Sequence, residues 1–310
     1  MAADHSSSLP ARLGRLPGCE VTASAPLAPL ISMRVGGPAE ALVRPTSADA
    51  LVALLRFVRE EGVPLTVLGG GANTLVGDGG ILGVTLKLPG NLFPEESDVG
   101  PEEGRLTLGA GSAIVRLCNQ MRAHGLVGAE FLAGIPGTLG GAVTMNAGTK
   151  NGECFRVVEA VEVATADGVG WLSKAEIPHR YRHAELPPDG VVTRVRFLLP
   201  KGDGEASKKV MDEDLAYRKR TQPLSQPNCG SVFTNPPGDF AGKLIESVGL
   251  KGHSIGYAQV SPLHANWIVN LGGATAFNVM SLLTLMRTRV LQERGVDLQP
   301  EVKRVGVFLP

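Results

Sequence analysis

Gly134 to Gly148 reads GIPGTLGGAVTMNAG, five glycines and one proline set among apolar residues with no formally charged side chain. Glycine permits positive φ and close backbone approach, and successive N–H groups pointing into one concavity bind phosphate oxygens without a cation. Taken alone, the stretch suits a tight turn inside an apolar core equally well, because one glycine-rich loop is a weak signal. A second stretch of the same kind favours a ligand. Gly69, Gly70 and Gly71 lead into Ala72, Asn73, Thr74 and Leu75 directly after the apolar run Leu65 to Leu68. Two strand ends thus deliver glycine-lined loops rich in backbone amides, and two such loops can clamp one extended cofactor carrying a diphosphate. The candidate contacts are those seven residues, 69 to 75, together with Gly134, Pro136, Gly137, Thr138, Gly140, Gly141, Ala142, Asn146, Ala147 and Gly148.

The flanks decide what kind of fold carries these loops. From Thr46, TSADALVALLRFVREEG places Leu51, Leu54, Leu55 and Val58 on one helical face, with Asp49 in the first turn and Gly62 as the stop. VPLTVLGGGANTLVGD then reads as strand, loop and short strand, which puts the first glycine loop at a strand's carboxyl end, where ligands of α/β sheets bind. Ile81 to Leu88 and Arg105 to Ala110 read as strands and Ser112 to His124 as a helix ending at Gly125. After the second loop, alternation over Val157 to Thr165, a turn at Asp167-Gly168 and a strand over Val191 to Leu199 predict antiparallel hairpins. Neither glycine loop has the G-x-G-x-x-G order with an acidic residue about 20 positions on, so a Rossmann dinucleotide site is not expected. The polar segment 200–207 reads as a domain link. Beyond it the sequence predicts a charged helix over Lys208 to Arg220, a helix over Phe240 to Val248, a strand near Ala265 to Asn270, and a long helix from Thr275 to Arg294 stopped by Gly295. Residues 1–25, broken by Pro10, Pro17 and Gly18, read as a poorly ordered tail.

Size and composition set the outer bounds. A chain of 310 residues suggests two domains. Lysine plus arginine and aspartate plus glutamate both total 30, so no long-range field recruits nucleic acid or anionic lipid. Cys19, Cys118, Cys154 and Cys229 include no C-x-x-C pair, which argues against a disulfide framework or structural zinc and for a reducing cytoplasm. No cluster has metal-ligand spacing, and no signal peptide or membrane span is expected. Nothing in the sequence calls for an obligate protein partner.

Six segments carry a specific resemblance: GGGANTLVGD, GIPGTLGGAVTMNAG, Tyr181-Arg182, CGSVFTNPPGDFAGKLIESVGLKG, SPLHANWIVN and PEVKRVG. In order and spacing they resemble the UDP-N-acetylenolpyruvoylglucosamine reductases, flavoenzymes of peptidoglycan precursor synthesis, over nearly everything from about Met33 onward. Ala184, Thr234 and Thr149-Lys150-Asn151 depart from the commoner residues at their positions. The short interval between Arg182 and the strand at Val191 leaves no room for the tyrosine-bearing insertion of one family branch, so the chain resembles the shorter type. The resemblance implies an α+β protein: a vanillyl-alcohol-oxidase-type FAD-binding domain of two α+β subdomains over 26–200, then a smaller α+β substrate-binding domain over 208–310. It implies non-covalent FAD in the glycine loops, NADPH as hydride donor, and a UDP-sugar whose enolpyruvyl ether is reduced.

Such a reduction leaves an enolate-like carbanion beside a carboxylate, so the site needs a fixed cation or donor at the carboxylate and an acid over the carbon. On the resemblance, Arg182 is the cation, Ser231 the proton donor and Glu301 a further acid facing the carboxylate. Tyr181, Asn235, Lys251 and His264 are the candidates for holding the rest of the substrate. Cys229, two residues before Ser231, is read as structural.

Overall fold

The computed structural model describes residues 7–309. The chain divides into two compact units, each assembled from three stretches of sequence: 7–23, 41–70 and 83–216 in the first, and 24–40, 71–82 and 217–309 in the second.

The first unit is built on an antiparallel sheet in which the strands Gly168–Ser173, Val158–Thr165, Val191–Pro200, Glu103–Gly109 and Glu96–Val99 hydrogen-bond in that order. Val161, Val163, Val195, Phe197, Leu199, Leu106 and Leu108 are buried and pack with Leu117 and Met121 of the helix Ile114–Ala123 and with Leu139 and Val143 of the helix Leu139–Thr144. These strand residues alternate along their strands and so share one face of the sheet, while Ala164 and Val191 of the same strands are buried in a second cluster with the helix residues Leu51, Leu54 and Leu55. A second sheet orders the strands Cys19–Pro26, Pro38–Pro45, Ile81–Leu86 and Leu65–Val67, the last two parallel. Its cover is the helix Ala48–Glu61, with Leu51, Leu54 and Leu55 buried. Ser47 caps this helix by accepting from Ala50 N at 3.1 Å, and Gly62 ends it at φ +60°. The Gly62 stop agrees with the sequence expectation; the Ser47 cap adds to it.

Two expectations fail here. The tail reading of 1–25 does not hold where the chain is described: Leu9–Leu13 is helical, Leu13 is fully buried in the core, and Cys19–Pro26 is a strand. Apolar residues spaced between prolines and glycines supplied too short a pattern to read. Residues 1–6 of that expected tail lie outside the described residues. The polar segment 200–207 is not a link either. Val127 N donates to Pro200 O, Lys201 Nζ donates to His124 O at 2.6 Å, and Ser207 Oγ donates to Glu130 at 2.6 Å, so the segment is hydrogen-bonded onto the first unit. Residues 202–206 are exposed, and the ends of the segment, Lys201 and Ser207, make the side-chain bonds that hold it.

The second unit carries an antiparallel sheet ordered Asn228–Ser231, Trp267–Asn270, Ala258–Val260 and Ser254–Ile255, and a parallel pair, Thr74–Val76 with Lys303–Val305. The helix Ala276–Arg294 packs Val279, Leu282, Leu283, Met286 and Val290 inward. Thr275 and Asn278 form a reciprocal capping box, and the Asp78 carboxylate accepts from Ala276 N at 2.8 Å and Phe277 N at 2.9 Å. Gly295 closes the helix at φ +69°.

Candidate functional site

The two glycine loops meet back to back in the first unit. A Cβ on Gly70 would lie 2.6 Å from the Gly137 Cα, and one on Gly69 would lie 2.9 Å from the Thr138 hydroxyl. Any side chain at 70 would therefore push the loops apart. Gly137 has φ +114°, a conformation reserved for glycine. Thr138 caps the helix that follows, and Lys87, which sequence reasoning passed over, donates from Nζ to Gly69 O at 2.7 Å. Burial and the neighbouring Arg44 charge pull the Lys87 pKa down.

Among the described residues, no acceptor takes the amide N–H of Gly69, Gly70, Gly71, Ala72 or Asn73, nor that of Gly137 or Thr138. Consecutive unpaired amides on glycine-rich turns are a fit for the oxygens of a diphosphate, and nothing anionic from the chain competes for them. Not every loop position is of this kind. Gly140 N donates to Ala110 O and Ala147 N to Ala142 O. Gly148 abuts Gly152 of a two-residue-per-strand hairpin, Gly148–Thr149 with Gly152–Glu153. Asn146 is fully buried at φ +40°, its carboxamide engaged at both ends by the chain itself.

Tyr181 and Arg182 occupy the turn of the hairpin His179–Arg180 with His183–Ala184. Arg182 has φ +58°, a left-handed backbone that favours glycine or asparagine and costs an ordinary residue roughly 1–2 kcal/mol. Its Nη2 donates to Gly148 O at 3.1 Å, and its guanidinium lies 4.7 Å from the centroid of the half-exposed Tyr181 ring. Strain held at one arginine, rather than relieved by a glycine, points to a side chain that is needed there.

Ser231 and Glu301 belong to the second unit, with Asn73. Gly230, at φ +75°, turns the chain into Ser231, and Asn228 Oδ1 accepts from Gly230 N to hold that turn. Ser231 pairs with Trp267 across the sheet. Glu301 N donates to Val232 O at 2.9 Å, and Asn73 Nδ2 donates to Glu301 O at 3.1 Å. The serine and the glutamate, 70 positions apart in sequence, thus sit one residue out of register across a backbone bridge. Asn266, missed in the sequence, fixes the far side: it accepts from Phe233 N at 3.0 Å, donates to Phe233 O at 2.8 Å, and its own carbonyl accepts from Val232 N. Its only signal was the polar residue inside the apolar SPLHANWIVN.

Asn235, Lys251 and His264 surround the helix Ala241–Ser247. Asn235 Oδ1 accepts from Ala241 N at 3.0 Å, Lys251 pairs with Glu246 at 3.0 Å, and the His264 ring faces Gly242, where a Cβ would stand 3.1 Å from Cε1. Burial and the Lys251 charge pull the His264 pKa down, so the ring is neutral at pH 7 and accepts from Asn266 N through Nδ1. Cys229 is 1 % exposed and burial pushes its thiol up to about 12, which removes it as an acid or nucleophile. Among the described residues no group of three metal-binding side chains exists, and no helix is long and apolar enough to cross a membrane.

Comparison with known proteins identifies the family. Residues 39–171 match the model of an FAD-binding domain, and 222–305 match the C-terminal domain of UDP-N-acetylenolpyruvoylglucosamine reductase. The chain is similar to the UDP-N-acetylenolpyruvoylglucosamine reductase of Myxococcus xanthus (strain DK1622), 76% identical over 98% of each chain. It is also similar to that of Anaeromyxobacter sp. (strain Fw109-5), 57% identical over 93% of this chain and 90% of the relative. The crystal structure of the reductase from Thermus caldophilus superposes with a TM-score of 0.79 at 36% identity, covering 93% of this chain and 99% of that one. With both matched domains in order, and a relative this similar along its whole length, the chain belongs to the UDP-N-acetylenolpyruvoylglucosamine reductase family, FAD-dependent oxidoreductases of cell-wall precursor synthesis.

Proposed function

We propose that the chain converts the enolpyruvyl ether of UDP-N-acetyl-3-O-(1-carboxyvinyl)-glucosamine to UDP-N-acetylmuramate with NADPH as hydride donor, and that Arg182, Ser231 and Glu301 carry the substrate chemistry. Bound FAD would supply the hydride-carrying chemistry between NADPH and the vinyl carbon. The unpaired amides of Gly69, Gly70, Gly137 and Thr138, all in the first unit, are the groups that would hold its diphosphate, and they are the observation that carries this reading. In chain order, the flavin role is assigned to 26–200 and the substrate role to 208–310. The protein works on small molecules in the cytoplasm.

Each catalytic residue has one task. The Arg182 guanidinium can grip a carboxylate with two donors, stabilising the negative charge that builds there. Ser231 donates its proton to the carbanion. A serine is a weak acid, so only a base as strong as that carbanion can take its proton, and the hydroxyl must be well placed. The turn at Gly230 and the backbone hydrogen bonds of Val232 to Asn266 and Glu301 support that reading. Glu301, hydrogen-bonded through its backbone beside Ser231, faces the substrate carboxylate as an acid. Tyr181, Asn235, Lys251 and His264 hold the remainder of the nucleotide sugar, Lys251 supplying the cation that a diphosphate requires.

The deciding experiment is spectroscopic. Purified protein is expected to be yellow, to bleach on NADPH without oxygen, and to recover its colour when the enolpyruvyl substrate is added. Bleaching followed by recovery only on admission of oxygen would identify an oxidase of the same fold and overturn the assignment of substrate.

A further inference from the structure

Two hydrogen bonds tie the end of the Gly134–Gly148 loop to the Tyr181–Arg182 turn, both within the first unit. Asn146 Nδ2 donates to Arg180 O at 3.2 Å, and Arg182 Nη2 donates to Gly148 O at 3.1 Å. The other end of the Asn146 side chain accepts from Phe155 N at 3.1 Å. Phe155 is itself buried, and its ring stacks on His179 at 4.3 Å and 12°, one residue before Arg180. His179 Nδ1 is 2.9 Å from Ile177 O, which anchors the strand entering the turn.

We propose that Asn146 is a positioning residue for Arg182: its carboxamide holds the Arg180 carbonyl and the Phe155 amide together, and so fixes the turn that presents the guanidinium. This rests on the reading of Arg182 as the group that grips the substrate carboxylate. The position asks three things of one residue, and asparagine meets all of them. It tolerates the left-handed φ of +40°. It offers an acceptor to Phe155 N–H and, at the same time, a donor to Arg180 C=O. It is small enough to do so with no exposed surface. Arg182 gains from this because its own φ of +58° is unfavourable, so without a restraint on residue 180 the turn would relax and carry the side chain off the Gly148 carbonyl. The carboxamide of Asn146 thereby acts on the substrate-facing arginine from inside the glycine loop, rather than on a cofactor.

The test uses the FAD-loaded enzyme and separates the two half-reactions. Asn146→Asp keeps the shape, the φ preference and the acceptor for Phe155, but turns an oxygen toward Arg180 O. Asn146→Gly keeps the φ preference and removes both bonds. Both variants are expected to retain FAD with a dissociation constant within about threefold of wild type and to bleach with NADPH at the normal rate. Reoxidation by enolpyruvyl substrate is expected to slow by about 10- to 100-fold, the scale of a displacement of an ångström in a positioned group. The loss falls on kcat more than on KM, because the arginine is still present but misplaced. A further signature separates positioning from a general loosening. The buried carboxyl that Asn146→Asp introduces has its pKa raised, and once protonated its O–H can donate to Arg180 O. Lowering the pH is therefore expected to recover reoxidation in Asn146→Asp and not in Asn146→Gly. In an Arg182→Ala background, Asn146→Asp is expected to add no more than twofold. Arg182→Ala reoxidising at the wild-type rate would sink the reading of Arg182 and this proposal with it. Arg182→Ala slow while both Asn146 variants reoxidise normally, or effects that multiply in the double variant, would overturn the positioning role alone.

Discussion

On the role proposed for Ser231 the catalytic cycle divides in two, because no carbanion exists until the substrate has accepted hydride. Ser231→Ala is therefore expected to keep FAD and to bleach with NADPH at close to the normal rate. Reoxidation by substrate is expected to slow by about 10² to 10⁴, or about 3 to 5 kcal/mol of transition-state stabilisation. Ser231→Cys should regain part of that rate, since a thiol can donate from the same place. Single-turnover stopped-flow without oxygen reads both halves, and equal slowing of both would assign the hydroxyl to the fold. The neighbouring thiol cannot substitute in the alanine variant, because Cys229 is buried with its pKa pushed up to about 12. At this scale the site was only partly legible in the sequence. Ser231, Arg182 and Glu301 are named only through the family resemblance of their segments, and the left-handed φ of Arg182 and the carboxamide clamps of Asn146 and Asn266 depend on neighbours brought in by folding.

Elements whose signals are local were readable; elements whose partners are distant were not. Ser47 and Gly62 bracket one helix and Thr275 and Gly295 another within their own few residues, and both helices fall where the pattern placed them. The pairing of Thr74–Val76 with Lys303–Val305 has no local cause at all, since either three-residue run is equally content beside another strand. The strand Val158–Thr165 shows what tertiary context adds to a legible element. Alternation predicts it, yet it carries Glu162 at 5 % exposure, bonded to Arg194 at 2.6 and 3.0 Å and to Thr193 at 2.7 Å. Burial pushes the Glu162 carboxyl up, but the hydrogen bonds from Arg194 and Thr193 and the charges of Arg194 and Arg196 outweigh it and leave the pKa below the ordinary value. A carboxylate whose folded pKa is depressed stabilises the fold above its unfolded pKa and loses that contribution as pH falls through the folded one. Glu162→Gln is thus expected to cost about 2 to 4 kcal/mol at pH 7, toward the lower end of breaking a buried pair because Arg194 keeps Glu96. The difference from wild type should shrink as pH drops below about 4, where the wild-type carboxyl also protonates. Denaturant unfolding at pH 7 and pH 3 measures it, and a difference that is constant across that range would show that the charge is not what Glu162 contributes.

On the scale of the whole molecule, chain length predicts two compact bodies, but their composition from interleaved stretches was hidden. The short segments 24–40 and 71–82 belong with the C-terminal third of the chain, and a sequence offers no composition shift where a strand simply continues from one body into the next. The same distribution of residues determines how the flavin is attached. Covalent attachment needs a nucleophile, and neither 69–75 nor 134–148 contains histidine or cysteine. The closest thiol in sequence, Cys154, is fully buried, and burial pushes its pKa up to about 12; Cys118, also buried, is at about 11. His179 lies outside both loops, stacked on Phe155 with Nδ1 against Ile177 O. FAD is thus predicted to be held without a covalent bond, and acid precipitation is expected to release all of it to the supernatant. Because a ligand that binds only the folded chain stabilises by mass action, free FAD at about 100 times its dissociation constant should add about 2.7 kcal/mol to the apoprotein and raise its melting temperature with concentration. Colour retained in the washed acid pellet, or a melting temperature indifferent to added FAD, would contradict non-covalent binding through these loops.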